Sequence, residues 1–174
     1  MSIIGQHTFV TRYKAPWSAT LIIVSSLATI ICLFMVFSIS RFVHRALLIA
    51  NLLPLIVILG ALPFIIRGYI VTPDAILVRQ LFWVKRLPLK DLLSANFELD
   101  AMRGSIRTFG NGGMFSFTGL FRNKSLGGYR AFVTDQHRTV VLRYSDRTIV
   151  ISPEKSEEFV RSVNLARGLS GLQS

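Results

Sequence analysis

The first 66 residues contain no Asp or Glu, and within them Ala15 to Ser40 run for 26 residues without a charged side chain. Few folds tolerate such a segment outside a protein core or a lipid bilayer. As a helix it would span about 39 Å, more than the ~30 Å hydrocarbon core of a membrane, so it can cross with tilt. Pro16 suits a first helical turn, and Tyr13 and Trp17 suit an interfacial aromatic belt. A second apolar run, Ala46 to Ile66, follows and would span about 32 Å as a helix; it contains Pro54, Gly60 and Pro63. Pro54 is expected to kink it. The joining turn, Arg41 to Arg45, is so short that the two helices must be antiparallel neighbours. That brings Asn51 to the depth of Ser38, where a hydrogen bond across the hairpin is expected. One Asn is too little polar chemistry for a transport site. A cleaved signal peptide fits poorly, because the run is too long and no small-x-small site precedes a mature domain.

The net charge of +11 comes with 51% apolar residues and a mean hydropathy of +0.51. The basic residues are scattered, with no dense run and no nucleic-acid motif, which argues against a nucleic-acid partner. Near the spans, one side carries Arg12, Lys14, Arg67, Arg79, Lys85 and Arg86, and the hairpin turn carries Arg41 and Arg45. That excess predicts a multi-pass protein of the cell membrane with both termini in the cytoplasm. The single Cys32 lies in the first apolar run, so no disulfide or cysteine metal site can form within one chain. His7 reads as a tail residue and His44 as interfacial.

At Arg67 the pattern changes, with no linker, to strand-like alternation. Tyr69–Thr72, Ala75–Gln80, Leu81–Leu87, Asp91–Leu99, Tyr129–Thr134, Arg138–Tyr144 and Thr148–Ile151 read as strands rich in β-branched and aromatic residues. Thr72-Pro73-Asp74-Ala75 and Tyr144-Ser145-Asp146-Arg147 read as turns. Ser152-Pro153-Glu154 announces a helix, with Ser152 as N-cap and Pro153 at the first position. Phe159, Val160, Val163 and Ala166 form its apolar stripe, and Gly168 is the expected stop. The expected organisation is a tail (1–14), a transmembrane hairpin (15–40 and 46–66), a domain (67–167) and a second tail (168–174). The domain is expected to be an antiparallel β-barrel of about seven strands capped by the C-terminal helix, giving a membrane protein of α + β class.

The stretches Gly68–Val78 (GYIVTPDAILV), Leu87–Leu92 (LPLKDL), Gly110–Asn123 (GNGGMFSFTGLFRN) and Thr148–Val160 (TIVISPEKSEEFV) resemble the bacterial pleckstrin-homology (PH) domain family over about residues 67–165. The resemblance implies a PH-like barrel with a helical cap, no catalytic residues and no cofactor; many membrane-tethered members have no defined ligand. In eukaryotic relatives basic residues around the first strand hairpin hold phosphoinositides. Here that turn is Thr72–Ala75, with Asp74 and no Lys or Arg, so the sequence departs from that site.

Residues 108–130 carry the most specific pattern. Gly110, Gly112 and Gly113 permit close backbone approach and positive φ. Met114, Phe115, Phe117 and Phe121 are unusually apolar for a loop, and Arg122 and Lys124 follow. A phosphate-binding loop is excluded, since no Gly-Lys-Ser/Thr follows. Two readings stay open. In one, the aromatic residues serve as core or as an extra hairpin; in the other, they present an interaction surface to lipid, to the membrane hairpin or to a partner. No Gly-x-Ser-x-Gly, Cys/His pair or His-Glu-x-x-His motif occurs, and His137 sits in an exposed turn. The expected function is a non-enzymatic, membrane-anchored interaction or scaffold module of undefined ligand. Alternatives are an anionic-lipid sensor and an accessory subunit of a membrane enzyme or transporter. The expected partners are the bilayer, an unidentified membrane or cytoplasmic protein, and anionic lipid; oligomeric state is open.

Overall fold

The computed structural model describes residues 10–42 and 48–171, with side chains over 10–38 and 53–168. Its first element is a correction: Thr11–Lys14, expected within a tail, form strand β1. It pairs antiparallel with β2 (Ile66–Val71), setting Tyr13 opposite Tyr69 and Lys14 opposite Gly68. Tyr13 drives the pairing by burying its ring edge-on against Phe159 at 5.2 Å. Its hydroxyl shares a 2.6 Å hydrogen bond with Ser162 and donates to the Glu158 carbonyl at 3.2 Å. Gly68 is required opposite, because a Cβ there would sit 2.5 Å from the Tyr13 carbonyl oxygen.

Between β1 and β2 the chain leaves and returns through two helices, α1 (Ala19–Phe42) and α2 (Leu48–Ala61), which pack together. Ser18 caps α1: its hydroxyl accepts the Leu21 amide at 3.2 Å and its carbonyl the Ile22 amide at 3.0 Å. The helix thus begins after Pro16, which lies ahead of the first turn instead of within it. The second apolar run is shorter as a helix than expected. Pro63 lacks an amide hydrogen and crowds the carbonyl four residues earlier, and α2 gives way to a 3-10 turn at Leu62–Phe64. Ile65 alone then joins that turn to β2. Among the described residues one helical segment, Ala19–Ser38, is long and apolar enough to cross a membrane, and the second apolar helix falls short. The Asn51 side chain, the Arg41–Arg45 side chains and His7 lie outside the described residues.

The domain has ten described strands in two sheets, not seven in a closed antiparallel barrel. The first sheet runs β1-β2-β3-β4, with β3 at Ala75–Gln80 and β4 at Val84–Pro88. The second contains β5 (Leu92–Leu99), β6 (Ile106–Gly112), β7 (Phe117–Asn123), β8 (Gly127–Val133), β9 (Arg138–Tyr144) and β10 (Thr148–Ile151). Its order is β5-β9-β10-β8-β7-β6, and β10 inserts parallel to β8 and antiparallel to β9. The β6–β7 hairpin extends this sheet, and among the described residues β4 and β6 are edge strands of separate sheets.

The central strands are buried on both faces, which explains their uninterrupted apolar runs. Phe132, Val140, Leu142, Ile149 and Ile151 face the main core with Tyr69, Ile76, Leu87 and the helix stripe. Their neighbours Ala131, Val133, Val141 and Val150 face a second core beneath Ala101, Met102, Phe121 and Tyr129. Helix α3 (Ser156–Gly171) supplies the expected stripe, with Phe159, Val163 and Ala166 fully buried. Its ends differ from expectation: it starts at Ser156, and it runs through Gly168.

Ser152 is displaced from the capping role by a buried polar node. Its hydroxyl accepts the Thr134 and Asp135 amides at 2.8 and 3.2 Å, tying the ends of β8 and β10. The Tyr69 hydroxyl donates to the Phe132 carbonyl at 2.7 Å and accepts the Ser152 amide at 3.2 Å. Full burial pushes the Tyr69 phenol up to about 12, against opposing hydrogen bonds from Ser152.

Two tests follow from this arrangement. Tyr13→Ala in the full-length protein removes a buried aromatic and lowers stability by about 3–5 kcal/mol, whereas Tyr13→Phe costs about 1 kcal/mol; thermal unfolding in detergent reads both, and no loss in the alanine variant would mean that β1 is dispensable. The raised Tyr69 phenol stabilises the fold fully below the ordinary value of 10.0, and that contribution is lost as pH rises through about 12. Denaturant midpoints should therefore fall across that alkaline window and fall less steeply in Tyr69→Phe; equal slopes would contradict the linkage.

Candidate functional site at the helix-proximal end of the sheets

The glycine-rich segment folds as the β6–β7 hairpin, and its tip reaches back to the helices. Gly110 and Gly119 face each other across the two strands. A Cβ on Gly119 would lie 2.1 Å from the Phe109 carbonyl oxygen, and one on Gly110 would lie 2.5 Å from that of Thr118. Only glycine permits this approach. The tip itself is a tight loop, Gly113 to Ser116. The Gly113 amide donates to the Ser116 carbonyl at 3.1 Å, the Met114 amide donates to Asn111 Oδ1 at 3.2 Å, and Asn111 Nδ2 donates back to the Met114 carbonyl.

Phe115 adopts φ 63°, a left-handed conformation disfavoured for a large side chain. Contacts with α1 hold it there. Its amide donates to Ser25 Oγ at 2.9 Å, and its ring lies 6.3 Å from that of Trp17. Ser25 is itself buried, and its hydroxyl donates to the Gly113 carbonyl at 3.4 Å. Ser116 completes the clamp by donating to the Phe64 carbonyl at 2.7 Å, at the end of the returning helix. One loop thus grips both helices. The start of α1 is fixed independently, since the Ser18 amide donates to the Thr134 carbonyl at 3.2 Å.

The expected site residues do not form one surface. Gly113, Met114 and Phe115 are at the tip. Gly110 and Gly112 are in β6, where they shape the backbone. Phe121 is buried in the second core, stacked on Tyr129 at 6.1 Å, and Phe117 packs against the same cluster. Arg122 lies near the far end of β7, and Lys124 lies in the turn beyond it. The seven residues of β7 carry these cations about 20 Å from the tip, so they do not flank it. Ser25 and Ser116 carry no signal in the sequence, where they look like ordinary small polar residues. The strand expected over Leu81–Leu87 is interrupted at its start, where Phe82 and Trp83 form an exposed turn whose Trp83 ring meets Phe64 edge-on at 6.2 Å. The signal was present in the sequence as an aromatic pair followed by Lys85 and Arg86.

The Thr72–Ala75 turn lies at the opposite end of β2 and β3. Thr72 Oγ1 donates to Asp74 at 2.8 Å, and Arg86 pairs with the same carboxylate. The Thr72 hydrogen bond, with Arg86 assisting, holds the Asp74 carboxyl below its usual value. This turn presents a carboxylate already paired with a cation, and it sits a strand's length from the helices.

The tip contacts predict a local opening. Ser25→Ala and Ser116→Ala each free the loop, so the Phe115 amide should exchange hydrogen at least about tenfold faster if one net hydrogen bond is lost. Unchanged exchange in the double variant would mean that the tip is held by other forces.

Residues 67–166 match the family model described as Bacterial PH domain, a match over more than half of the chain. No curated protein and no solved structure matches the chain.

Proposed function

From a chain that belongs to the bacterial PH domain family, a class of non-enzymatic interaction modules, we propose a binding domain anchored at the inner membrane surface by its own helical hairpin. One observation carries this reading. Strands β1 and β2 are hydrogen-bonded neighbours in the domain, yet the chain between them contains an exposed apolar helix. Only 11% of the Ala19–Ser38 segment is buried, so this helix is not the core of a soluble fold. Large side chains such as Ile23, Ile30 and Phe34 remain exposed, and lipid is the environment that matches them.

If α1 crosses the bilayer, the chain must cross again to reach β2. The helix α2 with its 3-10 turn reaches about 27 Å, slightly less than the hydrocarbon thickness, and local thinning can accommodate the difference. Removal of α1 as a signal sequence would also remove β1 and the Tyr13 anchor, which argues for its retention. The basic residues on the domain side favour the cytoplasm. Clamped by the β6–β7 tip and joined to the helices at both ends, by the short stretch after β1 and by Ile65 before β2, the domain is held at a fixed attitude to the bilayer. Its ligand surface is then presented by geometry without a need for recruitment.

Thiol labelling tests the arrangement in a Cys32→Ala background. Lys124→Cys should resist a membrane-impermeant maleimide in intact cells and react after permeabilisation, and His44→Cys should react in intact cells. Labelling of Lys124→Cys from outside would overturn the orientation, and release of the protein by alkaline carbonate would overturn anchoring.

A further inference from the structure

The two sheets leave an open seam beside the helices, and we propose that this seam binds the headgroup of an anionic phospholipid; the inference rests on reading α1 and α2 as membrane segments. The seam is a groove of about 300 Å³ between Gln80, Trp83 and Lys85 of the first sheet and Phe109, Leu120 and Arg130 of the second. Phe64, the last residue of the returning helical segment, also lines it. That volume is at the lower end of small-ligand sites, suited to a headgroup and not to acyl chains.

The chemistry of the lining selects the occupant. Gln80 is more than nine-tenths buried, and its Nε2 has no hydrogen-bond partner. The Trp83 indole N–H donates to Gln80 Oε1, which fixes the orientation of the amide and leaves its NH2 as the free donor. A buried donor of this kind calls for an acceptor. Lys85 and Arg130 add two cations, and among the described residues no acidic side chain lines the groove. An anionic acceptor would satisfy the donor and both cations together. Of the lining residues, Trp83, Phe109 and Leu120 are exposed, Phe109 to 75%, and Phe82, next to Trp83 in the chain, is exposed too. Such a rim is unfavourable in water but suits acyl chains at the level where the helices enter the bilayer. A phosphodiester with attached chains satisfies the donor, the cations and the apolar rim together. The groove lies at the opposite end of β3 from the Thr72–Ala75 turn, so it is not the phosphoinositide position expected from the family.

Trp83 is a natural reporter. The full-length Trp17→Phe protein, reconstituted in phosphatidylcholine vesicles, should show Trp83 fluorescence quenched by small fractions of brominated phosphatidylglycerol. Two cations near the surface imply a preference over brominated phosphatidylcholine on the order of thirtyfold. Lys85→Ala or Arg130→Ala should each reduce that preference about fivefold, and Gln80→Leu should weaken it while the cations remain. Equal quenching by the two lipids, or an undiminished preference in the Lys85→Ala/Arg130→Ala double variant, would overturn the proposal. Reversal by inorganic phosphate at equal concentration would also overturn it, in favour of a soluble anion site. A second reporter, Phe34→Trp in a chain with both native tryptophans replaced by Phe, should be quenched by either brominated lipid. If it is not, the membrane reading fails first; if it is, and Trp83 shows no preference, the groove alone fails.

Discussion

The pairing of β1 with β2 is the constraint on which the rest of the structure depends. Four residues, Thr11 to Lys14, hold the start of the chain in the same sheet as the strand that follows the helices. The Tyr13 ring and hydroxyl tie that sheet to α3 through Phe159 and Ser162. Everything between Lys14 and Ile66 becomes an excursion with both feet fixed. The helices are therefore a loop of the domain in the topological sense, however apolar they are. A PH domain joined to a single N-terminal anchor would have one foot and could swing.

The glycine-rich hairpin holds the excursion at both of its ends, through Ser25 and Phe64. Its strands can approach closely because Gly110 and Gly119 face each other, and its tip accepts a left-handed Phe115 because Ser25 and Trp17 meet it. The same hairpin widens the second sheet, with β6 as its outermost strand on that side. The grip on both helices and one wall of the seam thus come from one hairpin. The buried polar node of Tyr69, Ser152 and Thr134 plays the matching role inside the domain. It satisfies the ends of β8 and β10 where a parallel pair replaces the expected antiparallel one.

Much of the domain was legible because its signals are local. Arg138–Tyr144 and Thr148–Ile151 are strands at the expected bounds, the turn at Tyr144–Arg147 closes with a 2.8 Å backbone bond, and the α3 stripe is buried as its spacing requires. Other features were hidden because their causes are distant. Thr11-Arg12-Tyr13-Lys14 has no apolar run, and its strand character comes from β2, more than fifty residues later in the sequence. Ser152 carries a convincing capping pattern, but burial beside Tyr69 gave its hydroxyl better partners than an amide of α3. The candidate loop was recognised by composition, which does not say that Phe121 points into a second core while Phe115 turns to α1.

The sequence by itself determined the composition boundary at Arg67, the apolar character of the first helix, the sheet-rich domain with its C-terminal helix, and the likeness to the PH family. Each follows from periodicity or composition read over a short window. Tertiary structure alone decided that the chain's first strand belongs to the domain, that the barrel stays open, and that Ser25, Ser116, Gln80 and Trp83 matter. Those outcomes depend on which edges meet and which polar groups are left without water, and such long-range contacts leave no pattern in neighbouring residues.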